Sequence, residues 1–459
     1  MDYVRSRWFR FGWKTHMIRS IFKKIIIFIL TLEARLVLCK YRPTIVAVTG
    51  SVGKTSTKDA IYAVLAKQFY TRKSEKSFNS DIGIPLAILG CPNGWYDYRV
   101  WLSNIAEGMR LIITKNNYPK WLVLEVGADR PGDIKKVAKW LSPDVVVVTR
   151  FADVPVHVEF FPSPEALVRE KTYLVEALKQ EGLLVLNHDD KQSAALKEKT
   201  RARVITFGFD EGARIRASNE EIFYKINKEG QTSDIGIEVP EGITFKVSYV
   251  GSTVPVKLTG AFGMQHIYAV LAGFAIGVVY GINMVAITEA LIEFVLPQGR
   301  LRRIDGQKGS IILDDSYNAS PIATEAALST LAKIRKSVGA RKIAVLGDML
   351  ELGKYSTKEH ASIGEQASKI ADILIVVGVR AKTIAESAVS AGMSAHAVHK
   401  FETSREAGAF LASVIGSGDI ILVKGSQSMR MEQVVLMLME RPEEAPLLLV
   451  RQEAVWKEK

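Results

Sequence analysis

Cysteine is almost absent from this sequence of 459 residues, which contains only Cys39 and Cys91. Two thiols exclude a disulfide framework and a zinc site built from cysteines. This cysteine usage fits a reducing compartment, so we expect a cytoplasmic protein. The other residues are those of an ordinary globular protein, because 48% are hydrophobic and 24% are charged. The length allows two or three domains.

A long apolar run is also missing from the N-terminal arm, residues 1–42. Its longest uninterrupted apolar stretch has six residues, 25–30, whereas a membrane-spanning helix needs ~20. In a helix, one face of the arm would carry Ile18, Ile21, Ile25, Phe28, Ile29, Leu32 and Leu36. The pattern predicts either an interfacial helix on an anionic membrane or a helix that packs this face on the protein body. Both alternatives stay open.

Acidic residues are scarce in the same arm. It has ten basic side chains and two acidic ones, and the whole chain has a net charge of +12. Because the positive charge is concentrated in residues 1–42, it does not indicate a nucleic-acid-binding surface on the body of the protein. We expect no nucleic-acid partner and a monomer, and the interfacial alternative implies a peripheral membrane contact through residues 1–40.

What the chain does contain is a phosphate-binding loop. Residues 45–48 predict a buried strand, residues 50–54 a tight turn and residues 55–65 a helix. Lys54 can reach β- and γ-phosphate oxygens, and the Thr55 hydroxyl can ligate Mg²⁺. Backbone N–H groups converge at such a helix N-terminus. We therefore assign nucleotide phosphates to Gly50, Ser51, Val52, Gly53, Lys54, Thr55 and Ser56.

Alternating strand and helix patterns after the loop predict an α/β fold with two domains. The first has a parallel sheet and a small antiparallel β insert at 214–257. The second, after a linker at 297–300, is doubly wound and Rossmann-like. Further strands are expected at 121–126, 143–149, 183–188, 203–208, 310–314, 342–347, 373–378 and 419–424. The expected boundaries are the arm at 1–42, a central P-loop ATPase domain at 43–298 and a C-terminal domain at 299–459.

Three polar residues beyond the loop are candidate ligands. Glu125 ends a core strand, where open α/β sheets bind ligands, and is a candidate for Mg²⁺. Taken alone, His157 is more often a structural histidine than a ligand. Taken alone, Lys171 at the start of a helical stretch indicates a solvated charge.

Five motifs in this order and spacing resemble the Mur ligases. The loop TGSVGKTST is typical of the whole family. FNSDIGIPL, DDSYNASP, LGDMLELG followed by His360, and VKGSQSMRME are similar to its D-alanyl-D-alanine-adding branch, the MurF type. The resemblance covers about residues 43–440. It implies ATP-dependent amide-bond synthesis through an acyl phosphate in peptidoglycan precursor synthesis, with ATP and Mg²⁺ as cofactors and a muramoyl peptide and D-alanyl-D-alanine as substrates.

The resemblance also implies residue roles. Thr55 and Glu125 would hold one Mg²⁺, and His157 would hold a second. Lys171 matches a lysine that several family members carry as a carbamate, which requires a depressed pKa because only a neutral amine reacts with CO₂. The catalytic candidates are Lys54, Lys171 and His157. ATP would also be bound by His266, Arg300 and Asp315, and the substrates by Asn79, Ser80, Asn318, Lys424, Ser426 and Arg430.

The sequence departs from the family pattern in three places. Gln265 and His266 replace a His-Asn pair that touches adenine; both can hydrogen-bond, so nucleotide binding is expected to be kept. Gln427 replaces a positive charge. The phosphate loop begins at residue 50, so we expect the family's usual N-terminal uridine-binding domain to be lacking.

Two other interpretations stay open. One is another amide ligase of the superfamily, of the poly-γ-glutamate or folylpolyglutamate synthetase type, or one acting on a lipid-linked acceptor. The other is an ATP-binding scaffold at the membrane whose chemistry has lapsed. DDSYNASP and LGDMLELG favour the D-alanyl-D-alanine branch, and the presence of Lys54, Glu125, His157 and Lys171 together argues against a lapsed site.

Overall fold

Two β-sheets flanked by helices build this computed structural model, which describes residues 23–75, 78–94, 97–227, 237–294, 296–453 and 456. The strands of the first sheet are β1 (Thr44–Thr49), β2 (Thr71–Lys73), β3 (Trp121–Glu125), β4 (Val145–Val148), β5 (Leu183–Asn187), β6 (Arg203–Gly208), β7 (Ile215–Asn227), β8 (Ile237–Tyr249) and β9 (Ser252–Thr259). Their order is β2-β3-β1-β4-β5-β6-β7-β8-β9. β1 to β6 run parallel, and β3, β4 and β5 are buried along their whole length. Apolar runs of this kind are typical of strands covered by helices on both faces.

The helices of this first half flank the sheet. They are α1 (23–41), α2 (Lys54–Ala66), α3 (Gly83–Leu89), α4 (Tyr98–Ile113), α5 (Asp133–Ala138), α6 (Pro164–Glu176), α7 (Lys191–Ala194), α8 (Met264–Val279) and α9 (Met284–Ile292). No helix in the described part of the chain is long and apolar enough to cross a bilayer.

The second half is built on a six-stranded sheet. Its strands are β10 (Arg302–Asp305), β11 (Ile311–Asp315), β12 (Lys342–Gly347), β13 (Ile373–Val377), β14 (Val398–Phe401) and β15 (Ile420–Lys424), in the order β10-β11-β15-β12-β13-β14. The helices are α10 (Pro321–Lys333), α11 (Ser356–Ala367), α12 (Lys382–Ser390), α13 (Ser404–Val414), α14 (Glu432–Leu438) and α15 (Ala445–Leu448). Only the edge strand β10 pairs antiparallel here, so the α/β, Rossmann-like prediction is confirmed.

The antiparallel segment at 214–257 extends the first sheet instead of forming a separate one. β7 pairs parallel with β6 through Phe207–Ile215 and Gly208–Arg216 before it turns antiparallel to β8. No local sequence pattern predicts this pairing or the short strands β2, β10 and β14.

Helix α1 packs on the first half with the face opposite to the predicted one. Ile26, Leu30, Ala34 and Val37 are buried in the core under β1 and β3. The predicted stripe members Ile25, Phe28, Leu32 and Leu36 are exposed, and Ile29 is half-buried. The expectation that this stripe packs on the protein body is therefore wrong for these residues. Ile18 and Ile21 lie outside the described residues.

Candidate active site

A cavity of about 1070 Å³ opens between the two halves of the chain. It lies at the carboxyl ends of β1, β3 and β4, and β1 sits between the other two, where the strand order reverses. Ligands of open α/β sheets bind at such a switch point. Several predicted site residues line the cavity: Lys54, Thr55, Asn79, Glu125, His157 and Lys171 from the first half, and Arg300, Asp315, Asn318 and Lys424 from the second.

The phosphate loop has the backbone shape that an anion site needs. Gly53 has φ 83°, and at Gly50 (φ 140°) a Cβ would collide with Thr149 Oγ1. The N–H groups of Ser51 and Val52 donate to the carbonyl of Arg150 at 2.7 and 3.3 Å. The first N–H groups of α2 have no partners inside the helix and no side-chain cap, so they are available to an anion.

Glu125 is held beside the loop hydroxyl. Thr55 Oγ1 donates to Glu125 Oε2 at 2.9 Å, and Asn79 Nδ2 lies 3.5 Å from Oε1. The carboxylate belongs to a residue that is only 2% exposed, at the end of β3. A buried carboxylate needs a compensating charge, and the ammonium group of Lys54, which interacts electrostatically with Glu125, can supply it.

Two lysines lie near each other at the loop: Lys171 is buried and Lys54 is half-buried. Burial lowers the pKa of Lys54, and the charge of Glu125 opposes this shift. Burial lowers the pKa of Lys171 well below its ordinary value, and the charge of Lys54 lowers it further. Lys171 Nζ donates to Ser51 Oγ at 2.9 Å. Lys171 is buried, so the interpretation as a solvated charge is wrong.

His157 connects the two halves. Its Nδ1 lies 2.5 Å from Glu351 Oε2 in the second half, and its Nε2 lies 3.4 Å from Asp129 Oδ1. Both His157 and Glu351 have positive φ angles, 69° and 63°. Such angles are uncommon outside glycine and often mark functional positions.

A buried ion pair from the second half of the chain lines the cleft. Lys424 Nζ donates to Asp315 Oδ2 at 2.6 Å and to the Asn318 carbonyl at 3.0 Å. Burial raises the pKa of Asp315, and Lys424 and Arg300 lower it. Lys424, predicted for the incoming amine, is therefore bonded to a residue predicted for ATP.

Arg300 and His266 meet at the boundary between the halves. His266 is fully buried, and its Nε2 lies 2.7 Å from the Arg300 carbonyl. Burial lowers the pKa of His266 to about 4, so the ring is neutral at pH 7 and Nε2–H donates. The Arg300 guanidinium lies 4.0 Å from the centre of the Tyr317 ring. His266 thus shapes the segment that presents Arg300, and it is Gln265 that lines the cavity.

Three residues predicted to bind substrate lie outside the lining of this cavity. Ser80 lines a smaller neighbouring cavity of about 420 Å³. Ser426 is buried, and its Oγ accepts from the N–H of Leu350 at 2.8 Å. Arg430 Nε donates to Glu432 Oε1 at 2.6 Å. Their roles in substrate binding stay predictions.

Sequence reasoning missed Tyr317, Glu351 and Arg451. The first two stand inside the motifs DDSYNASP and LGDMLELG, so the motifs could have pointed to them. Arg451 lies beyond the family resemblance, and we see no signal that could have found it. It is buried and donates to the carbonyls of Ser316 and Tyr317 at 2.6 and 3.1 Å.

The residues at the loop fit Mg²⁺, although no three His, Cys, Asp or Glu side chains of the described residues converge as a metal cluster. Mg²⁺ is usually bound through one or two carboxylates, substrate phosphates and water. Thr55 and Glu125 supply oxygen donors of this kind, 2.9 Å apart.

Comparison with known proteins gives matches over most of the chain. The Mur ligase middle domain matches residues 48–101 and 106–275. The family described as Mur ligase, glutamate ligase domain, matches residues 299–427. Together these matches cover more than half of the chain.

Relatives and a solved structure agree with these matches. The chain is 28% identical to the UDP-N-acetylmuramoyl-tripeptide--D-alanyl-D-alanine ligase of Bacillus subtilis, over 87% of this chain and 76% of that protein. It is 28% identical to the enzyme of the same name from Escherichia coli, over 86% and 77%. The MurF ligase of Thermotoga maritima in complex with ADP superimposes with a TM-score of 0.70 at 25% identity, over 91% of this chain and 84% of that one.

Proposed function

This chain belongs to the Mur ligase family, and on that premise we propose that it adds D-alanyl-D-alanine, or a closely related amine, to a muramoyl peptide. It is an ATP-dependent ligase that forms an amide bond and releases ADP. The observation that supports the proposal most is the cleft itself. There the phosphate loop, Lys171 and Glu125 of one half face Arg300 and Asp315 of the other.

The reaction has two balanced steps. An oxygen of the acceptor carboxylate attacks the γ-phosphorus, the bond from that phosphorus to the bridging oxygen of ADP breaks, and an acyl phosphate forms. The amine then attacks the acyl carbon, the bond from that carbon to the phosphate oxygen breaks, and the nitrogen loses a proton. Catalysis of such steps is largely positioning and neutralisation of negative charge.

The first half would bind the phosphates. Lys54 and the first N–H groups of α2 would hold the β- and γ-phosphates, since the positive end of the helix dipole favours negative charge. Thr55 and Glu125 would hold Mg²⁺, which neutralises phosphate charge when bound. Burial lowers the pKa of Lys171, which favours the neutral amine that carbamate formation needs, and His157 at the edge of the site would hold a second Mg²⁺.

The second half would bind the rest of ATP and the amine. Arg300 and Asp315 are proposed to contact phosphate and ribose. Asn318 lines the same wall, and its carbonyl is bonded to Lys424. Asn79 lies on the opposite wall, within 3.5 Å of Glu125.

The acceptor is either a soluble nucleotide-linked peptide or a lipid-linked one. One observation supports the lipid-linked acceptor. Lys23, the first described residue of α1, lines the smaller cavity together with Asp129, His157 and Glu351. An amphipathic helix whose first described residue lies beside this smaller cavity supports a reaction at the cytoplasmic membrane face.

Phosphate release is the test. We expect the purified chain with ATP and Mg²⁺ to release phosphate only when a muramoyl tripeptide and D-alanyl-D-alanine are both present. Lys54→Ala should lower the rate at least about 100-fold, because it removes a charge that faces the transferred phosphoryl group. Lys67→Ala, an exposed lysine paired with Glu293 just beyond the same helix, is the matched control and should keep the wild-type rate.

Other outcomes identify the alternatives. Release that needs L-glutamate in place of D-alanyl-D-alanine would indicate a glutamate ligase. Release only with a lipid-linked peptide would identify the acceptor as membrane-bound. ATP binding without release under any of these conditions would contradict the proposal and favour the lapsed scaffold.

A further inference from the structure

Helices α1 and α4 lie side by side on the outer surface of the first half. Glu33 of α1 contacts the backbone of α4 at Gly108, where a Cβ would collide with the carboxylate. One to two turns further along both helices, Lys40 Nζ donates to the carbonyls of Leu111 and Ile112, at 2.9 Å each. The order of these contacts shows that the two helices run in the same direction.

Each of the two helices turns an apolar stripe to solvent. On α1 the exposed members are Ile25, Phe28, Leu32 and Leu36; on α4 they are Tyr98, Leu102, Met109 and Ile113. Their spacing places each set on one face of its helix. Phe28 is 69% exposed and Ile113 is 72% exposed, so these are not side chains at the edge of the core.

The two stripes lie on neighbouring helices. The contacts that join α1 and α4 involve Glu33, Lys40 and Gly108, and none of these residues belongs to an exposed stripe. Both stripes therefore stay open to solvent on adjacent helices. Apolar side chains grouped in this way mark an interaction surface.

The charges on the two helices are almost all positive. α1 and α4 together contain six basic residues and two acidic ones. One of the acidic residues, Glu33, is buried, and the other, Glu107, is paired with Arg110. An apolar stripe with a basic border is the signature of an interfacial helix on anionic lipid. The sequence before α1 continues this character with Trp8, Phe9, Phe11 and Trp13 among five basic residues.

We propose that α1 and α4 together form one membrane-binding surface that docks on an anionic lipid bilayer. The predicted arm contributes only half of it, because α4 lies more than fifty residues further along the chain. Lys23 at the start of α1 lines the smaller cavity beside His157, so docking brings that side of the cleft close to the lipid. The exposure and the charge of α1 and α4 support this surface independently of the proposed reaction.

Vesicle flotation of the full chain, without ATP or substrate, tests the proposal. We expect binding to vesicles of phosphatidylglycerol and phosphatidylcholine, and much weaker binding to phosphatidylcholine alone, because the basic border needs anionic lipid. Ile113→Asp on α4 should lower the bound fraction at least about fivefold, as should Phe28→Asp on α1. Val338→Asp, at a fully exposed valine in the second half, is the matched control and should bind like wild type.

Several results would overturn the proposal. Unchanged binding of Ile113→Asp would mean that the N-terminal arm alone holds the membrane. Absence of binding to anionic vesicles would contradict a membrane-binding surface. A dimer that Ile113→Asp dissociates would show that the surface binds a second copy of the chain instead. Thermal unfolding of each variant checks that the fold is kept, which is expected because both side chains are exposed.

Discussion

Lys171, a buried lysine whose pKa burial lowers well below its ordinary value, is the residue on which the proposed chemistry depends most. Lys171 is buried, its Nζ donates to Ser51 Oγ, and the positive Lys54 lies near it. A buried amine with a neighbouring cation and without an acidic partner is costly to protonate. The same environment that favours a reactive amine therefore lowers the stability of the folded chain.

Lys171→Met should separate activity from stability. We expect phosphate release to fall at least about 100-fold, while the free energy of unfolding at pH 7 rises. The pKa of Lys171 in the folded chain lies below its ordinary value of 10.5, so the unfolded chain binds the proton more strongly. Wild-type stability therefore increases with pH between the folded pKa and 10.5, and the variant should lose that slope.

Urea unfolding at pH 7 and pH 9, beside the phosphate assay, measures both effects. Lys67→Met, at an exposed position, serves as the control and should keep both the activity and the slope. An active Lys171→Met enzyme would remove Lys171 from the catalytic residues.

The Lys424–Asp315 pair gives a second prediction at this scale. Lys424→Met leaves the buried Asp315 carboxylate without its 2.6 Å partner, and we expect a loss of about 3–5 kcal/mol in the free energy of unfolding. Adding Asp315→Asn should restore part of that loss, since no buried charge then remains. Urea unfolding of both single variants and the double variant measures the coupling. Additive losses would show that the two residues do not act as a pair.

At the scale of elements, the sequence was most informative where strands are buried on both faces. β4 is four valines in a row, and it forms a strand inside the predicted range. β10 could not be recognised, because Arg302 and Arg303 break the apolar pattern and only the antiparallel partner β11 defines the strand. In α1 both faces are apolar, so periodicity alone could not say which face is buried.

The site could be predicted as far as it lies within one half of the chain. Glu125 at a strand end and Lys54 of the loop follow from local patterns, whereas the role of Lys171 follows only from the family resemblance. The contacts between distant segments could not be predicted from local patterns, because no sequence spacing relates the two residues of each contact. His157 with Glu351 and Arg451 with Ser316 are the clearest cases.

The segment after α14 is expected to position the loop at 316–318, which follows Asp315 and lines the cleft. Arg451 is bonded to Glu432 and to the carbonyls of Ser316 and Tyr317. Arg451→Ala should therefore raise KM for ATP about tenfold with a smaller change in kcat, since it loosens the loop without removing a reacting group.

Steady-state kinetics of Arg451→Ala should be compared with the kinetics of two further variants. Arg451→Lys keeps one charge and should recover part of the affinity. Arg441→Ala, at an exposed arginine paired with Glu444 in the same segment, should behave like wild type. If KM for ATP stays unchanged in Arg451→Ala, the segment does not act on the site.

At the scale of the whole molecule, the cleft depends on how the two halves meet. His157 and Glu351 join them at the rim of the catalytic cleft. The Tyr224 hydroxyl of β7 accepts from the N–H of Arg335, just after α10, at 2.8 Å. Both are polar contacts at partly exposed positions. Such contacts can open and close at low cost, which suits an enzyme that must admit ATP and two further substrates.

Glu351→Gln should favour the open arrangement. The His157 contact lowers the pKa of Glu351 below its ordinary 4.5. The His157–Glu351 contact therefore stabilises the closed arrangement fully above pH 4.5. This stabilisation is lost as the pH falls through the lower pKa that Glu351 has in the folded chain. We expect the variant to have a larger radius of gyration than wild type at pH 7, by about 1 Å on the ~23 Å of a compact chain of this length.

Small-angle scattering at pH 7 and pH 4 measures this difference. The radius of gyration of the variant should change less between pH 7 and pH 4 than that of the wild type, because glutamine does not titrate. Glu402→Gln removes an exposed pair with Lys382 inside the second half; since that pair joins nothing across the cleft, this control should keep the wild-type radius. A Glu351→Gln chain as compact as wild type would mean that the other contacts between the halves suffice, and the strained φ angles of His157 and Glu351 would then need a role in substrate binding instead.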